Sequence, residues 1–129
     1  MIVFPYVKWR GKPCPIVSVE LCKKGKSVFT QAYLDTGATY SFFDADFCER
    51  LGIRLKDGER VDFVIGDGSY ISVFIHRITF KIEHLKFRGV VGFTEKLGTG
   101  INILGRKTVM DRFKICFDGK KKKILWHTK

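Results

Sequence analysis

Apolar and polar residues alternate along much of this chain, and the alternation predicts short β-strands. Residues 16–22 carry an apolar side chain at every second position, as a half-buried strand requires. A polar turn at 23–26 separates them from a second apolar stretch, 28–34. The two stretches therefore predict a β-hairpin whose second arm leads directly into an aspartate.

A second hairpin is predicted in the middle of the chain. The apolar runs 61–65 and 70–76 flank the sequence Gly-Asp-Gly-Ser at 66–69. An Asp-Gly pair between two apolar runs favours a tight hairpin, because the turn needs positive φ angles. Two further strands are predicted at 77–83, where apolar and polar residues alternate, and at 85–93.

The remaining pattern predicts two short helices and a terminal hairpin. Asp44 suits a helix N-cap, apolar residues follow at helical spacing, and Gly52 suits the C-terminal stop. A second short helix is predicted over 106–113. The stretches 114–118 and 124–127 then form a hairpin around a turn with four lysines.

These elements define an all-β chain with two small helices, in a barrel or a sandwich-like fold. Two glycines inside one predicted strand, Gly89 and Gly92, suggest β-bulges. The length of 129 residues is typical of one domain. We expect a single domain over 1–129, with an N-terminal extension or strand at 1–15 and a lysine turn and strand at 119–129.

Composition excludes several classes of protein. With 45% hydrophobic residues the chain can fill a core, so it is not disordered. No apolar run approaches the roughly 20 residues of a membrane-spanning helix, and no signal peptide opens the sequence. A cytoplasmic protein without a membrane contact is therefore expected.

Positive charge is concentrated at the two ends of the chain. The net charge is +11: residues 1–34 carry +5, residues 35–104 carry −1 and residues 105–129 carry +7. A basic balance of this size is compatible with nucleic acid, an anionic surface or an acidic protein as partner. We expect instead that the charge belongs to a solvated, solubilising surface, with nucleic acid the weaker alternative.

Cysteines and histidines give no sign of a metal or cofactor. The chain has four cysteines and three histidines, and neither a CxxC pair nor HExxH-like spacing occurs. We therefore expect no metal site and no cofactor. Without an export signal, the cysteines are expected to be reduced and mostly buried thiols.

Two motifs carry the chemical signal. The apolar strand that ends at residue 34 runs into Asp-Thr-Gly-Ala at 35–38, and Asn-Ile-Leu-Gly-Arg follows at 102–106 after another apolar stretch. Alone, Asp-Thr-Gly is a common turn sequence. Its place after a buried strand, together with the second motif, resembles the retropepsin-like family of retroviral-type, single-domain aspartic proteases. The resemblance spans about residues 16–118 and includes a glycine-containing flap at 65–69.

The resemblance implies a fold, an activity and roles for individual residues. It implies the closed barrel of the retropepsin (acid protease) fold and an aspartic endopeptidase in which Asp35 is the catalytic carboxylate. Thr36 would bond across a dimer, and Gly37 would allow close approach of the substrate. The substrate-binding residues would be Ala38, Thr39, Ile65, Gly66, Asp67, Gly68 and Ser69. Structural support would come from Leu34, Leu104, Gly105 and Arg106.

One Asp-Thr-Gly supplies only half of an aspartic protease site. Two carboxylates held side by side share one proton, so a water can be activated between them. The resemblance therefore implies a homodimer with Asp35 from each subunit at the two-fold axis, acting on a peptide or protein substrate.

The chain departs from the viral pattern at Asp67 in the flap, at Lys107 after Gly-Arg, and in its continuation beyond residue 118. We expect this continuation to fold back as a hairpin and to change how the dimer interface is built. The alternative is a catalytically silent binding module of the same fold, whose basic ends contact an acidic protein or nucleic acid.

Overall fold

The computed structural model describes residues 1–64, 67–98 and 100–128 of the chain. These residues are predominantly β-structure, as the alternation predicted. The strands are β1 (Ile2–Pro5), β2 (Val7–Trp9), β3 (Lys12–Cys14), β4 (Ile16–Lys23), β5 (Lys26–Leu34), β6 (Phe42–Asp44), β7 (Glu59–Val64), β8 (Tyr70–Ile82), β9 (Leu85–Thr94), β10 (Asn102–Leu104), β11 (Lys114–Asp118) and β12 (Lys123–His127).

Among the described residues, helical structure is limited to three short segments. They are α1 (Asp46–Arg50), a 3₁₀ turn (Leu55–Asp57) and a π-helical turn (Arg106–Met110). The first predicted helix is present, but its N-cap is Ala45 and not the predicted Asp44, which is the last residue of β6 and accepts the Asp46 N–H at 2.9 Å. The helix predicted over 106–113 is shorter than expected: it ends at Met110, and residues 111–113 form a turn that leads into the next strand at Lys114. None of these segments is long and apolar enough to cross a membrane.

The main sheet closes into a barrel. Its strand order is β4-β5-β10-β6-β9-β8-β7, and β4 pairs in addition with β8. This extra pairing, with Leu21 opposite Phe80, joins the two sides of the sheet into a ring. Within the described residues β7 pairs with β8 alone, so the β7–β8 hairpin extends beyond the ring. The expected closed all-β barrel is confirmed.

Two sequence predictions about β8 and β9 are wrong. The chain does not break between residues 76 and 77, since β8 is one strand of 13 residues. Gly89 and Gly92 form no bulges but pair in regular register with β8. Both glycines are explained by packing: a Cβ on Gly89 would lie 3.2 Å from the Phe80 ring, and one on Gly92 would overlap the Val73 side chain.

The strand β10 brings the two sequence motifs together. It pairs in parallel with β5, and Leu104 lies opposite Leu34. On its other edge β10 pairs with β6, where Ile103 lies opposite Phe42. Leu34 and Leu104 are both buried. The loops that follow these two leucines therefore leave the sheet side by side.

The chain termini form a second, three-stranded sheet of order β1-β12-β11. The predicted hairpin of the C-terminal segment is present, with Ile115 opposite Trp126. Trp126 is fully buried, and its ring packs against Phe4 and Phe113 at centroid distances of 6.1 and 5.5 Å. This sheet therefore shares the hydrophobic core of the barrel.

The prediction of mostly buried cysteines is wrong. All four cysteines are free, but Cys48 alone is buried, and Cys14, Cys22 and Cys116 are partly exposed. Burial raises the pKa of the Cys48 thiol to about 12. Residue type alone did not reveal that the other three lie on strand faces turned away from the core.

The β7–β8 hairpin contains a carboxylate whose titration can be predicted. The Ser72 hydroxyl and the Arg60 guanidinium donate hydrogen bonds to Asp62 Oδ1 at 2.9 and 3.2 Å and lower the pKa of Asp62. A lowered pKa means that this group stabilises the fold above its unfolded pKa, and that the contribution is lost as the pH falls through the folded value.

We expect Ser72→Ala to raise the pKa of Asp62 towards its ordinary value, in an NMR titration of the side-chain carboxyl carbon. The pKa of Asp67, which Ser69 lowers in the same hairpin, serves as the internal control and is expected to stay unchanged. An Asp62 titration that does not move would contradict the assigned cause.

Candidate active site

Asp35 directly follows β5, one of the barrel strands, and is the first residue of the loop after it. Its backbone N–H donates to the Leu104 carbonyl at 3.0 Å, which extends the β5–β10 pairing by one residue. Its side-chain Oδ1 accepts the Gly37 N–H at 2.8 Å. Asp35 is partly buried, whereas Thr36 and Gly37 are exposed. The loop thus holds one carboxylate oxygen through a main-chain hydrogen bond and leaves Thr36 and Gly37 at the surface.

Arg106 holds the shape of this loop. Its guanidinium donates to the Thr36 carbonyl at 2.7 Å and to the Thr39 hydroxyl at 2.9 Å. Its backbone N–H donates to the Ala38 carbonyl at 2.8 Å. Hydrogen bonds from a charged donor are stronger than neutral ones. The second motif therefore fixes the loop of the first, and Arg106 occupies a supporting position rather than one beside the carboxylate oxygens.

Gly105 is required by a close approach of two backbone segments. A Cβ at this position would overlap the Tyr40 carbonyl and lie 2.8 Å from the Ala38 carbonyl oxygen. Both are main-chain atoms of the Asp35 loop and cannot move aside like a flexible side chain. Only glycine lets the turn after β10 pack directly behind the loop.

A buried hydroxyl network continues this support into the barrel. The Ser41 hydroxyl donates to Thr108 Oγ1 at 2.6 Å and accepts the Gly105 N–H at 3.0 Å. The Thr108 hydroxyl donates in turn to the Val90 carbonyl at 2.8 Å. Ser41 and Thr108 are both fully buried. Sequence reasoning missed both residues, because a serine in a polar loop and a threonine in a short helix carry no distinguishing pattern.

We expect Ser41→Ala to lower the free energy of unfolding by about 1–3 kcal/mol, since it leaves the buried Gly105 N–H without its acceptor. Urea denaturation measures the change. The matched control is Ser18→Ala on β4, where the serine is exposed and an effect within about 0.5 kcal/mol is expected. Equal effects of the two variants would contradict a role for the buried network.

Asn102 is another supporting residue, at the start of the second motif. Its amide nitrogen donates to the Thr30 hydroxyl at 3.1 Å and to the Gln31 carbonyl at 3.0 Å. Its amide oxygen accepts the Asp44 N–H at 3.1 Å. Because these partners belong to β5 and β6, Asn102 fastens β10 to both of its neighbours.

The β7–β8 tip lies partly outside the described residues. Two predicted substrate-binding residues, Ile65 and Gly66, fall there. Of the others, Asp67 Oδ1 accepts hydrogen bonds from the Ser69 N–H and hydroxyl, which lower the pKa of Asp67. Gly68 has a φ of 84°, as the Asp-Gly turn predicted. The Asp67 carboxylate therefore accepts hydrogen bonds within its own turn, and these favour its ionised form.

Aromatic contacts hold the base of this hairpin beside the Asp35 loop. The Phe63 ring on β7 lies 5.5 Å from the Tyr40 ring and 5.3 Å from the Phe42 ring, measured between centroids. An apolar cavity of about 290 Å³ opens next to this cluster. It is lined by Phe42, Ile71, Thr94, Lys96, Leu97, Gly98 and Ile103.

The predicted site residues thus divide into two groups. Hydrogen bonds and strand pairing bring together the 34–39 segment and the supporting residues Leu104, Gly105 and Arg106. The described tip residues 67–69 bond among themselves. No group of three or more His, Cys, Asp or Glu side chains in the described part of the chain could hold a metal ion.

The geometry of an Asp-Thr-Gly loop backed by a Gly-Arg turn in a closed β-barrel agrees with the comparison to known families. The aspartyl protease family model matches residues 17–108, which is most of the chain and includes both motifs. The protein therefore belongs to the aspartyl protease family, a family of peptide-bond hydrolases. A comparison with curated proteins gave no match.

Proposed function

We propose that this protein is a retropepsin-like aspartic endopeptidase that is active as a homodimer. The observation that carries the proposal is Asp35 itself, a single partly exposed carboxylate that ends a buried strand and is held by a loop with an exposed Thr36. The chain has one Asp-Thr-Gly, so the second carboxylate must come from a second copy.

The chemistry follows from pairing the two Asp35 side chains. Two carboxylates at hydrogen-bond distance cannot both ionise, so they share one proton. The ionised carboxylate removes a proton from a water molecule, and the protonated one polarises the carbonyl of the scissile peptide bond. Gly37 has no side chain, so it leaves room for the peptide beside the carboxylates.

An extended peptide is the substrate that this surface favours. A strand laid under the β7–β8 hairpin would bind through backbone hydrogen bonds, and alternate side chains would enter pockets. The apolar cavity beside Phe42 and Ile103 favours hydrophobic side chains. The ionised Asp67 at the hairpin tip disfavours acidic residues in the same peptide.

Cleavage of a denatured protein at mildly acidic pH tests the proposal. We expect fragments with the wild-type chain and with Asp57→Asn, which neutralises an exposed carboxylate outside the loop. With Asp35→Asn we expect no detectable fragments within the time that the wild-type chain needs for complete cleavage. Fragments formed by the Asp35 variant at the wild-type rate would overturn the assignment.

One observation favours a second candidate, a binding module for an acidic partner. A cavity of about 360 Å³ at the turn between β4 and β5 is lined by five lysines, Lys23, Lys24, Lys26, Lys81 and Lys86, with Glu20 as its carboxylate. Binding of an acidic protein whose affinity falls steeply with salt, in a chain that cleaves nothing, would support it.

A further inference from the structure

The cavity of about 360 Å³ opens on the outer surface of the barrel, at the seam where β4 pairs with β8. Leu21 and Phe80 lie opposite each other at this seam, and both are fully buried. Because side chains of a strand alternate between its two faces, the neighbouring pair Glu20–Lys81 faces outward. Both of these residues line the cavity, which therefore lies on the solvent side of the sheet.

The positive charge of this lysine cavity comes from two hairpins that meet at the seam. The β4–β5 hairpin contributes Lys23, Lys24 and Lys26, and the β8–β9 hairpin contributes Lys81 and Lys86. Lys23 lies directly opposite Lys26, and Lys81 lies directly opposite Lys86. Like charges opposite each other on paired strands destabilise a sheet. The sequence thus places two unfavourable pairs around one cavity.

The described part of the chain supplies no ion pair that neutralises these lysines. Its one ion pair joins Arg60 to Asp62 in the β7–β8 hairpin. The Lys23 ammonium group donates to the Arg77 carbonyl at 2.8 Å, a neutral acceptor that leaves the charge uncompensated. Local arrangements that reduce stability without compensation are typical of functional sites. The missing partner is therefore an anion from outside the chain.

The chemistry of the lining favours phosphate groups. Lysine is a compact point charge that binds phosphate, whereas planar recognition of a carboxylate favours arginine. The hydroxyls of Ser27 and Thr79 add neutral donors. The described lining residues include neither arginine nor an aromatic side chain, so they offer no surface on which a nucleobase stacks. The volume of the cavity is typical of a site for a small molecule.

The lysine cavity is separate from the candidate active site. Lys26 begins β5 beside the cavity, and Leu34 ends the strand directly before Asp35. Since a strand rises about 3.3 Å per residue, the two sites lie about 25–30 Å apart at opposite ends of β5. Binding in the cavity can therefore be measured independently of catalysis.

We propose that the lysine cavity is a second binding site of this protein, for a small ligand that carries several linked phosphate groups. The ligand places negative charge between the opposed lysines and removes their repulsion, and the two hydroxyls donate to further phosphate oxygens. A free polyphosphate and the phosphate chain of a nucleotide share this chemistry. The site is independent of the proposed function, because it uses no residue of the Asp35 loop.

Titration calorimetry of the whole chain with inorganic tripolyphosphate tests the site. We expect binding that weakens as the salt concentration rises. Lys26→Gln combined with Lys86→Gln removes one exposed member of each opposed pair. We expect this double variant to bind at least about tenfold more weakly, since it loses two hydrogen bonds between charged groups. Without ligand, its melting temperature is expected to equal or exceed that of the wild type.

The matched control is Lys120→Gln combined with Lys121→Gln in the C-terminal lysine turn. It removes the same charge from two exposed lysines that do not line the cavity. We expect it to bind tripolyphosphate as the wild type does. An equal loss of affinity in the two double variants would mean that net charge alone attracts the ligand, and would overturn the proposal.

Cys22 reports on occupancy of the cavity, because it is partly exposed and belongs to the lining. At about ten times the dissociation constant some nine tenths of the sites are occupied, so alkylation of Cys22 by iodoacetamide is expected to slow about tenfold. Cys14 and Cys116 lie outside the lining and are expected to react at unchanged rates, measured by peptide mass spectrometry. An unchanged rate at Cys22 would contradict the site.

A comparison of ligands decides between the sources of phosphate. Similar affinities for tripolyphosphate and ATP would show that the phosphate chain is sufficient, and tighter binding of ATP would identify a nucleotide; both results support the proposal. Binding of an oligoglutamate peptide but of neither phosphate compound would overturn it in favour of an acidic protein. Failure of all three to bind would also overturn it. None of these measurements requires cleavage, so a failure of the proposed function leaves the site standing.

Discussion

Replacing Asp35 with asparagine is expected to reduce the rate of peptide hydrolysis by about 10²–10⁴-fold, the range that general acid–base catalysis contributes. Asparagine has nearly the same shape, and its side-chain oxygen can still accept the Gly37 N–H that now bonds to Oδ1. It cannot exchange the proton that a carboxylate pair shares. The initial rate of hydrolysis of a fluorogenic peptide measures the loss, and an unchanged melting temperature shows that the fold is intact.

A mixing experiment shows whether two copies build each site. When equal amounts of wild-type and Asp35→Asn chains re-equilibrate, about a quarter of the dimers are wild-type on both sides, since association of identical interfaces is random. We expect activity to fall to about that quarter at constant total protein. A fall to one half would mean that each chain works alone, which would contradict the dimeric site.

Gly105→Ala is expected to have the largest effect on folding. The added Cβ meets the Tyr40 and Ala38 carbonyls, and the turn after β10 has to separate from the Asp35 loop. We expect a loss of about 3 kcal/mol or more in the free energy of unfolding, at the upper end of overpacking effects. Urea denaturation of the purified variant measures the change.

The matched control is Gly119→Ala in the lysine turn, where an added Cβ meets no atom within 4 Å. This control is expected to change stability by less than about 0.5 kcal/mol. If both variants unfold at the same urea concentration as the wild type, the two segments are not packed as described. If the Gly105→Ala protein is soluble but inactive, the substitution disturbs only the geometry of the Asp35 loop.

Several parts of the fold could be predicted because their causes are local. Alternation predicted β4 and β5, the Asp-Gly pair predicted the turn at Gly68, and the C-terminal apolar runs predicted the β11–β12 hairpin. The sequence predictions were wrong where contacts with residues distant in the sequence determine the structure. Gly89 and Gly92 resembled bulge residues, but they make room for Phe80 and Val73 on the neighbouring strand.

The same division applies to the candidate site. Asp35 and the Gly105–Arg106 pair are recognisable from the sequence because their spacing and neighbours are unusual. Ser41, Thr108 and Asn102 are not, because their contribution depends on hydrogen bonds to strands far away in the sequence. Serine, threonine and asparagine are common in loops, so residue type does not mark these three. They stabilise the site because they are buried and hydrogen-bonded.

By itself the sequence determined the strand pattern, the aspartyl protease motifs and the presence of one Asp-Thr-Gly per chain, since these depend on residue type and spacing. Tertiary structure decided how the motifs meet. Parallel pairing of β10 with β5 sets Leu104 beside Leu34, and Arg106 then reaches the carbonyl of Thr36. It also decided that β12 occupies one edge of β11, while no strand of the described residues pairs with the other edge, near Asp35. Pairing between distant strands is a property of the folded barrel, because no local pattern specifies which edges remain free.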